Sequence, residues 1–306
     1  MHARPPRYVD GLPRPDRSLV MGVLNVTPDS FSDGGRFLDH SLAVKHGRQL
    51  VAEGADLVDV GGESTRPGAV RPSVQEEIDR VVPVVATLAQ DGVLVSVDTM
   101  RAAVAEEAVR CGAVLVNDVS GGRADDEMLA TVARLGASRG TSYVLMHWRA
   151  HSLTMQQHAE YGDVVDDVMH ELAEQLDAAR DAGIAPERIA IDPGIGFSKT
   201  AEQNWDVLAG MERLHELGHP VLIATSRKRF LGSLLADPNG ELRPPARRED
   251  ATTATSALAA AAGAWCIRVH TVRANLDAVL VAARWAAPWA ARSGAESEAA
   301  AGRSDG

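Results

Sequence analysis

The stretch Val93-Leu94-Val95-Ser96-Val97-Asp98-Thr99-Met100-Arg101-Ala102-Ala103-Val104-Ala105-Glu106-Glu107-Ala108-Val109-Arg110-Cys111-Gly112-Ala113-Val114-Leu115-Val116-Asn117-Asp118 holds one full repeat of an architecture. It opens on an apolar run that does not alternate, as a parallel strand buried on both faces does. An Ala-rich stretch, 101–111, reads as the crossover helix that a parallel pair requires. Gly112 supplies its stop. A second apolar run follows and ends, like the first, on polar side chains: Asp98 in one case, Asn117 and Asp118 in the other.

Working outward, the same unit recurs. Strands are expected at 19–26, 56–61, 93–98, 114–118, 143–147, 188–192, 221–226 and 266–270, with helices such as 74–90, 101–111, 164–182 and 202–217 between them. Gly92, Gly112, Gly183 and Gly218 follow four of these helices as stops. Eight β-then-α units in roughly 270 residues predict an α/β fold of one domain, a (β/α)₈ TIM barrel. The competing architecture is a doubly wound open sheet, which usually carries fewer strands and a Gly-rich first turn. No G-x-G-x-x-G or Walker lysine loop is present. The barrel is assigned to 19–290, residues 1–18 to an N-terminal extension, and 291–306, an aperiodic Ala, Gly, Ser and Glu stretch, to a disordered tail.

Composition narrows the function class. The formal net charge is −11, which argues against general nucleic-acid binding, since that needs cations to displace phosphate counterions. No apolar run is long enough to span a membrane. Cys111 and Cys266 are the only cysteines and form no C-x-x-C pair, so they read as reduced thiols. The Pro- and Arg-rich first residues have no apolar core of a signal peptide. A cytoplasmic enzyme is the expectation.

In a barrel all eight carboxyl strand ends converge on one mouth, where active sites are built. The polar residues expected there are Asn25, Glu63, Asp98, Asn117, Asp118, His147, Asp192, Ser226, Arg227, Lys228, Arg268 and His270. At these ends the chain closely resembles dihydropteroate synthases, a family of pterin-binding (β/α)₈-barrel enzymes. The resemblance rests on Met21-Gly22-Val23-Leu24-Asn25-Val26-Thr27-Pro28-Asp29-Ser30-Phe31-Ser32-Asp33-Gly34-Gly35 and on Asp59-Val60-Gly61-Gly62-Glu63-Ser64-Thr65-Arg66-Pro67-Gly68. Further matches are Ser96-Val97-Asp98-Thr99, Val116-Asn117-Asp118-Val119-Ser120-Gly121-Gly122, Ile191-Asp192-Pro193-Gly194-Ile195-Gly196-Phe197, Ser226-Arg227-Lys228 and Arg268-Val269-His270.

The resemblance implies a transferase of folate biosynthesis. It would condense 6-hydroxymethyl-7,8-dihydropterin pyrophosphate with p-aminobenzoate, giving 7,8-dihydropteroate and pyrophosphate, and be a target of sulfonamides as p-aminobenzoate mimics. It implies Asp98, Asn117, Asp192 and Lys228 as pterin ligands, with Asp98 and Lys228 also catalytic. Arg268 and His270 would bind pyrophosphate, and Asn25 would be a ligand of Mg²⁺. Thr65, Arg66, Pro67, Phe197 and Lys228 would form the p-aminobenzoate pocket. A homodimer through outer barrel helices is the implied assembly, with small-molecule substrates and no nucleic-acid or membrane partner.

The residue types suit these roles. A carboxylate at 192 matches the amide–guanidine-like edge of a pterin with two parallel hydrogen bonds, although an Asp there also caps helices. Asn117 donates and accepts, as a mixed heterocycle edge needs, and is equally a turn former. Lysine stands only at 45, 199 and 228 among 31 Lys and Arg residues, so Lys228 suggests a compact ammonium wanted between two arginines, or a solvated helix-start cation. Arg268 and His270 alternate on one strand and so share a face; His270 also has a structural reading, as does a core-packed Phe197. His147 reads as a packed structural histidine. Arg229 stands where many family members carry Ser, which puts that hydroxyl contact to the benzoate carboxylate in doubt. Two rival functions are a pterin-binding methyltransferase serving a corrinoid, and an inactive paralogue acting as a binding module.

Overall fold

A computed structural model describes residues 4–27, 35–63, 71–150 and 159–287, with the side chains of 35–39 left aside. Eight parallel strands run β1 (Leu19–Asn25), β2 (Leu57–Gly61), β3 (Val95–Asp98), β4 (Leu115–Asp118), β5 (Ser142–Met146), β6 (Ile189–Asp192), β7 (Leu222–Ile223) and β8 (Cys266–Val269). Each pairs with its sequence neighbour from β1 to β6, β1 pairs with β8, and β8 with β7. The bridge Ile191↔Val221 joins β6 to β7 and closes the ring. The result is the expected (β/α)₈ barrel.

The helices are α1 (Gly35–Ala52), α2 (Val74–Gln90), α3 (Ala102–Arg110), α4 (Met128–Arg139), α5 (Val164–Asp181), α6 (Ala201–Ala209), α7 (Met211–Leu214), α8 (Arg229–Leu234), α9 (Glu249–Ala261) and α10 (Val272–Ala286). Helix α2 spans the predicted 74–90, opening on a full capping box of Ser73 and Glu76 and running on through Pro83. The single helix expected at 202–217 is instead α6, α7 and a short 3₁₀ turn, broken at Gly210. A side chain at 210 would meet Val165 of α5 at 2.9 Å, so close approach of the two helices selects glycine. Strand β7 is shorter than expected because Thr225 onward turns early to deliver residues 226–228 to the mouth.

Strand parity separates two cores. The outward side chains Val20, Val58, Val60, Val97, Val116, Leu145, Ile191, Ile223 and Ile267 pack on the helices. The inward set Leu19, Met21, Leu57, Leu115, Val144, Ala190, Leu222 and Cys266 fills the barrel's lower interior. Tyr143 and Asp118 lie on the outward parity, where the Tyr143 hydroxyl donates to Asp118 Oδ2 at 2.8 Å. The N-terminal extension runs across the bottom of this interior. Val9 and Leu12 are buried in its apolar cluster, the Asp10 amide donates to Glu187 O at 2.9 Å, and Arg17 grips Asp56 with two bonds of 2.7 and 2.9 Å. The tail at 291–306 lies outside the described residues.

Candidate active site

Following inward parity up each strand leads from the apolar layer straight into a polar one. Leu57 is followed by Asp59, Ser96 by Asp98, Leu115 by Asn117, Ala190 by Asp192, Ala224 by Ser226, and Cys266 by Arg268 and His270. Strand register puts Asp98 beside Gly61 and Asn117, and the Arg268 side chain reaches Asp59 and Asp98, so these polar residues ring one mouth.

Asp59 is the hub. It is 0% exposed, and its Oδ2 accepts from Asn117 Nδ2 at 2.9 Å and from Arg268 Nε at 2.6 Å. Arg268 Nη2 donates to Asp98 Oδ2 at 2.6 Å. One guanidinium thus bridges two carboxylates, the planar fork geometry that lysine lacks. Burial alone would lower the Arg268 pKa, but Asp59 and Asp98 outweigh it and raise it. Burial pushes Asp98 up to about 7; Arg268 opposes this, while Asp59, Glu77 and Asp118 add to it. Behind Asp98, fully buried Glu77 accepts from Thr99 Oγ1 at 2.7 Å and pairs with Arg101 at 3.1 Å.

Asp192 ends β6 with one oxygen already engaged, since Oδ1 accepts from the Gly194 amide at 2.7 Å. That turn is the capping-type contact the sequence allowed, yet a carboxylate oxygen has lone pairs to spare. Burial raises its pKa, with Lys228 the largest opposing influence. Lys228 is the N-cap of α8 without a side-chain capping bond, and its ammonium turns inward to donate to Ile195 O. Burial lowers it to about 8, against Asp192. It is therefore no solvated helix-start cation. Its Nζ lies 4.8 Å from the centre of the Phe197 ring. Half-buried Phe197 packs, as does Trp148, against the cluster of Met100, Val119 and Met146, an apolar wall beside the polar ring.

Gly196 sits between these groups with φ +82°, and a β-carbon there would stand 2.7 Å from Lys228 Cδ. Gly194 (φ +68°) is packed as tightly on the His147 carbonyl, at 2.5 Å. Both positions need glycine for conformation and for space. Ser226 Oγ meets His270 Nδ1 at 2.9 Å and accepts from the His270 amide at 3.2 Å. Arg229, exposed on the first turn of α8, lies outside this packed layer.

The structure therefore brings Asn25, Asp98, Asn117, Asp192, Phe197, Lys228, Arg268 and His270 to one mouth. Thr65, Arg66 and Pro67 lie outside the described residues, although Glu63 and Arg71, which flank them, join through a 2.6 Å ion pair. His147 points outward to Glu171 rather than into the mouth, as its structural reading requires. Asp59 and Lys199 were not singled out by sequence. A lone carboxylate within Leu57-Val58-Asp59-Val60-Gly61, at the parity of the mouth, was the available signal for the first; the scarcity of lysine was the signal for the second.

Residues 21–270 match the family model of pterin binding enzymes. A dihydropteroate synthase of Mycobacterium leprae is 54% identical over 267 residues, covering 87% of this chain and 93% of the relative. The chain belongs to the dihydropteroate synthases. A second family member, from Synechocystis, is 43% identical over 87% of this chain and 89% of its own length. Among solved dihydropteroate synthases, that of Xanthomonas albilineans with 4-aminobenzoic acid superposes with a TM-score of 0.80 at 45% identity, covering 89% of this chain and 95% of that one. The same enzyme in complex with 7,8-dihydropteroate gives 0.77 at 44% identity over the same shares.

Proposed function

We infer that this mouth joins 6-hydroxymethyl-7,8-dihydropterin pyrophosphate to p-aminobenzoate, releasing pyrophosphate and 7,8-dihydropteroate in folate biosynthesis. The observation that carries this reading is the inward-facing ring of Asp98, Asn117, Asp192, Lys228 and Arg268 beside the apolar wall at Phe197. Asp192 accepts the pterin's ring N–H and amino hydrogens, Asn117 takes the mixed edge, and the Lys228 ammonium meets the carbonyl side. Scission of the C–O bond to pyrophosphate leaves positive charge on the pterin methylene. Ionised Asp98 offsets that charge from a fixed position. The arylamine nitrogen then bonds to the exocyclic carbon and releases one proton. No Ser-His-Asp or Cys-His arrangement is needed, since no covalent enzyme intermediate forms.

Arg268 and His270 hold the departing pyrophosphate, in the region after the seventh and eighth strands where this barrel commonly binds phosphate. Asn25 ends β1 at inward parity, and among the described residues nothing hydrogen-bonds its side chain. No cluster of three His, Cys, Asp or Glu forms a stand-alone metal centre among the described residues. A single amide oxygen at the mouth suits Mg²⁺, which binds through few protein groups while phosphates and water complete its shell. Held by Asn25, the ion supplies neutralisation of pyrophosphate charge. Thr65, Arg66, Pro67, Phe197 and Lys228 form the p-aminobenzoate pocket in this reading.

The two cysteines are free, and among the described residues no helix is long and apolar enough to cross a membrane, which supports a cytoplasmic setting. Leu258, Leu280, Val281 and Trp285 stand exposed on α9 and α10, Trp285 by 85%, which supports a homodimer through these outer helices. A sedimenting mass of one chain excludes that assembly. The activity itself is tested by incubating the protein with the pterin pyrophosphate and Mg²⁺, with and without p-aminobenzoate. Dihydropteroate formed only with p-aminobenzoate, matched by released pyrophosphate, is the expected result. Pterin binding without turnover would overturn it in favour of a binding module.

A further inference from the structure

The turn after β6 is gripped from two sides by buried ammonium groups, and only one of them belongs to the pterin ring. From the mouth, Lys228 donates to Ile195 O. From behind, Lys199 Nζ donates to Gly194 O at 3.2 Å and Phe197 O at 3.3 Å, and its third contact is His147 Nδ1 at 3.1 Å. An ammonium only donates, so Nδ1 carries the lone pair and the His147 proton sits on Nε2. That nitrogen faces Glu171 Oε2 at 2.9 Å, and Glu171 is locked in turn by Arg149. A line of hydrogen bonds thus runs from α5 through the back of β5 to the carbonyls of Gly194 and Phe197.

The turn needs such support. Gly194, Gly196 and Ser198 all have positive φ, +68°, +82° and +47°. Glycine takes such angles freely, but Ser198 does not, and it persists there only where the surroundings over-determine it. Burying a lysine to provide that support is costly unless its donors are met, as they are here. Burial lowers Lys199 to about 7, with Lys228 and Arg149 adding to it and Asp192 opposing. Burial and the Lys199 charge hold His147 at about 4, neutral as its acceptor role demands.

We propose that Lys199, set by His147 and Glu171, is a positioning residue for p-aminobenzoate: by holding Gly194 O and Phe197 O it fixes the Phe197 ring opposite Lys228. The proposal rests on the synthase reading above. It places a determinant of substrate fit on the side of the turn away from the mouth, out of contact with either substrate.

Lys199→Met keeps length and removes the donors. The expected result is a rise of about tenfold in KM for p-aminobenzoate, the loss of one charge-assisted hydrogen bond's worth of order, with kcat changed by less than about threefold. Melting somewhat below the wild-type temperature is expected too, because Gly194 O, Phe197 O and His147 Nδ1 lose their common donor. The pair His147→Leu and His147→Asn gives an independent reading. Asn Oδ1 can stand where Nδ1 accepts, so the rise in KM should be smaller in H147N than in H147L. An unchanged KM in folded K199M overturns the proposal while leaving the wild-type activity intact. Equal rises in both His147 variants overturn it too, including the case where K199M fails to fold. A wild-type protein that forms no dihydropteroate refutes the synthase reading instead.

Discussion

At the scale of single residues, the mouth is organised by a carboxylate that contacts no substrate in our scheme. Asp59 holds Arg268 and Asn117 at one oxygen, so one buried charge orients both the cation proposed to hold pyrophosphate and the amide proposed to hold the pterin. Removing the cation should therefore be felt in stability as well as in binding. Arg268→Ala leaves Asp59 buried and uncompensated, a change that typically costs about 3–5 kcal/mol. Thermal melting several degrees below wild type is expected, with pyrophosphate affinity reduced far more than affinity for free pterin. Equal losses for the two ligands would contradict the division of roles. Asp59 is not legible as a hub in the sequence because it sits two positions before its strand end and its partners, Asn117 and Arg268, come from β4 and β8. Lys199 stands out in the sequence only as one of three lysines, since its partners His147, Gly194 and Phe197 follow β5 and β6 and its hydrogen bond to His147 has no local spacing.

At the scale of elements, the strands were legible because parallel strands in a barrel are apolar on both faces and end on polar residues. The parity that selects which polar residue faces the mouth was legible only in part: Arg268 and His270 follow from alternation, whereas His147 belongs to the outward set of β5 and turns to α5. The break at Gly210 was not legible, because it answers to the approach of Val165 from another helix. The N-terminal extension shows the same limit. Its Val9 and Leu12 occupy the floor of the barrel, a contact with residues as distant as Trp265 that no local pattern announces. Deleting residues 1–13 withdraws two buried side chains worth about 1.5–3 kcal/mol each. A clear fall in melting temperature is expected by calorimetry. Unchanged melting would mean that the floor is closed without them.

At the scale of the whole molecule, the barrel's low-dielectric interior tunes the groups that it gathers. In the proposed reaction Asp98 must be ionised to offset positive charge on the pterin, and burial has raised it to about 7. Lys228 must be protonated to meet the pterin as proposed, and burial has lowered it to about 8. The signs therefore oppose: kcat/KM for the pterin pyrophosphate, on which Lys199 has no bearing in our proposal, is lost below about pH 7 as Asp98 gains a proton and above about pH 8 as Lys228 loses one, giving a narrow bell. Arginine stays charged throughout this range, so the alkaline limb should vanish in Lys228→Arg, whatever its absolute rate. A limb that persists in that variant would assign the titration to another group.

Calorimetric titration of 7,8-dihydropterin pyrophosphate into wild type and Asp192→Asn measures directly whether Asp192 anchors the pterin. Replacing the carboxylate by an amide removes one acceptor oxygen and its charge, so a loss of about 2–3 kcal/mol, or roughly 30- to 150-fold in Kd, is predicted. Melting close to that of wild type would show that the variant is folded. Equal affinity in the two proteins would place the pterin somewhere other than the end of β6 and contradict the site described above.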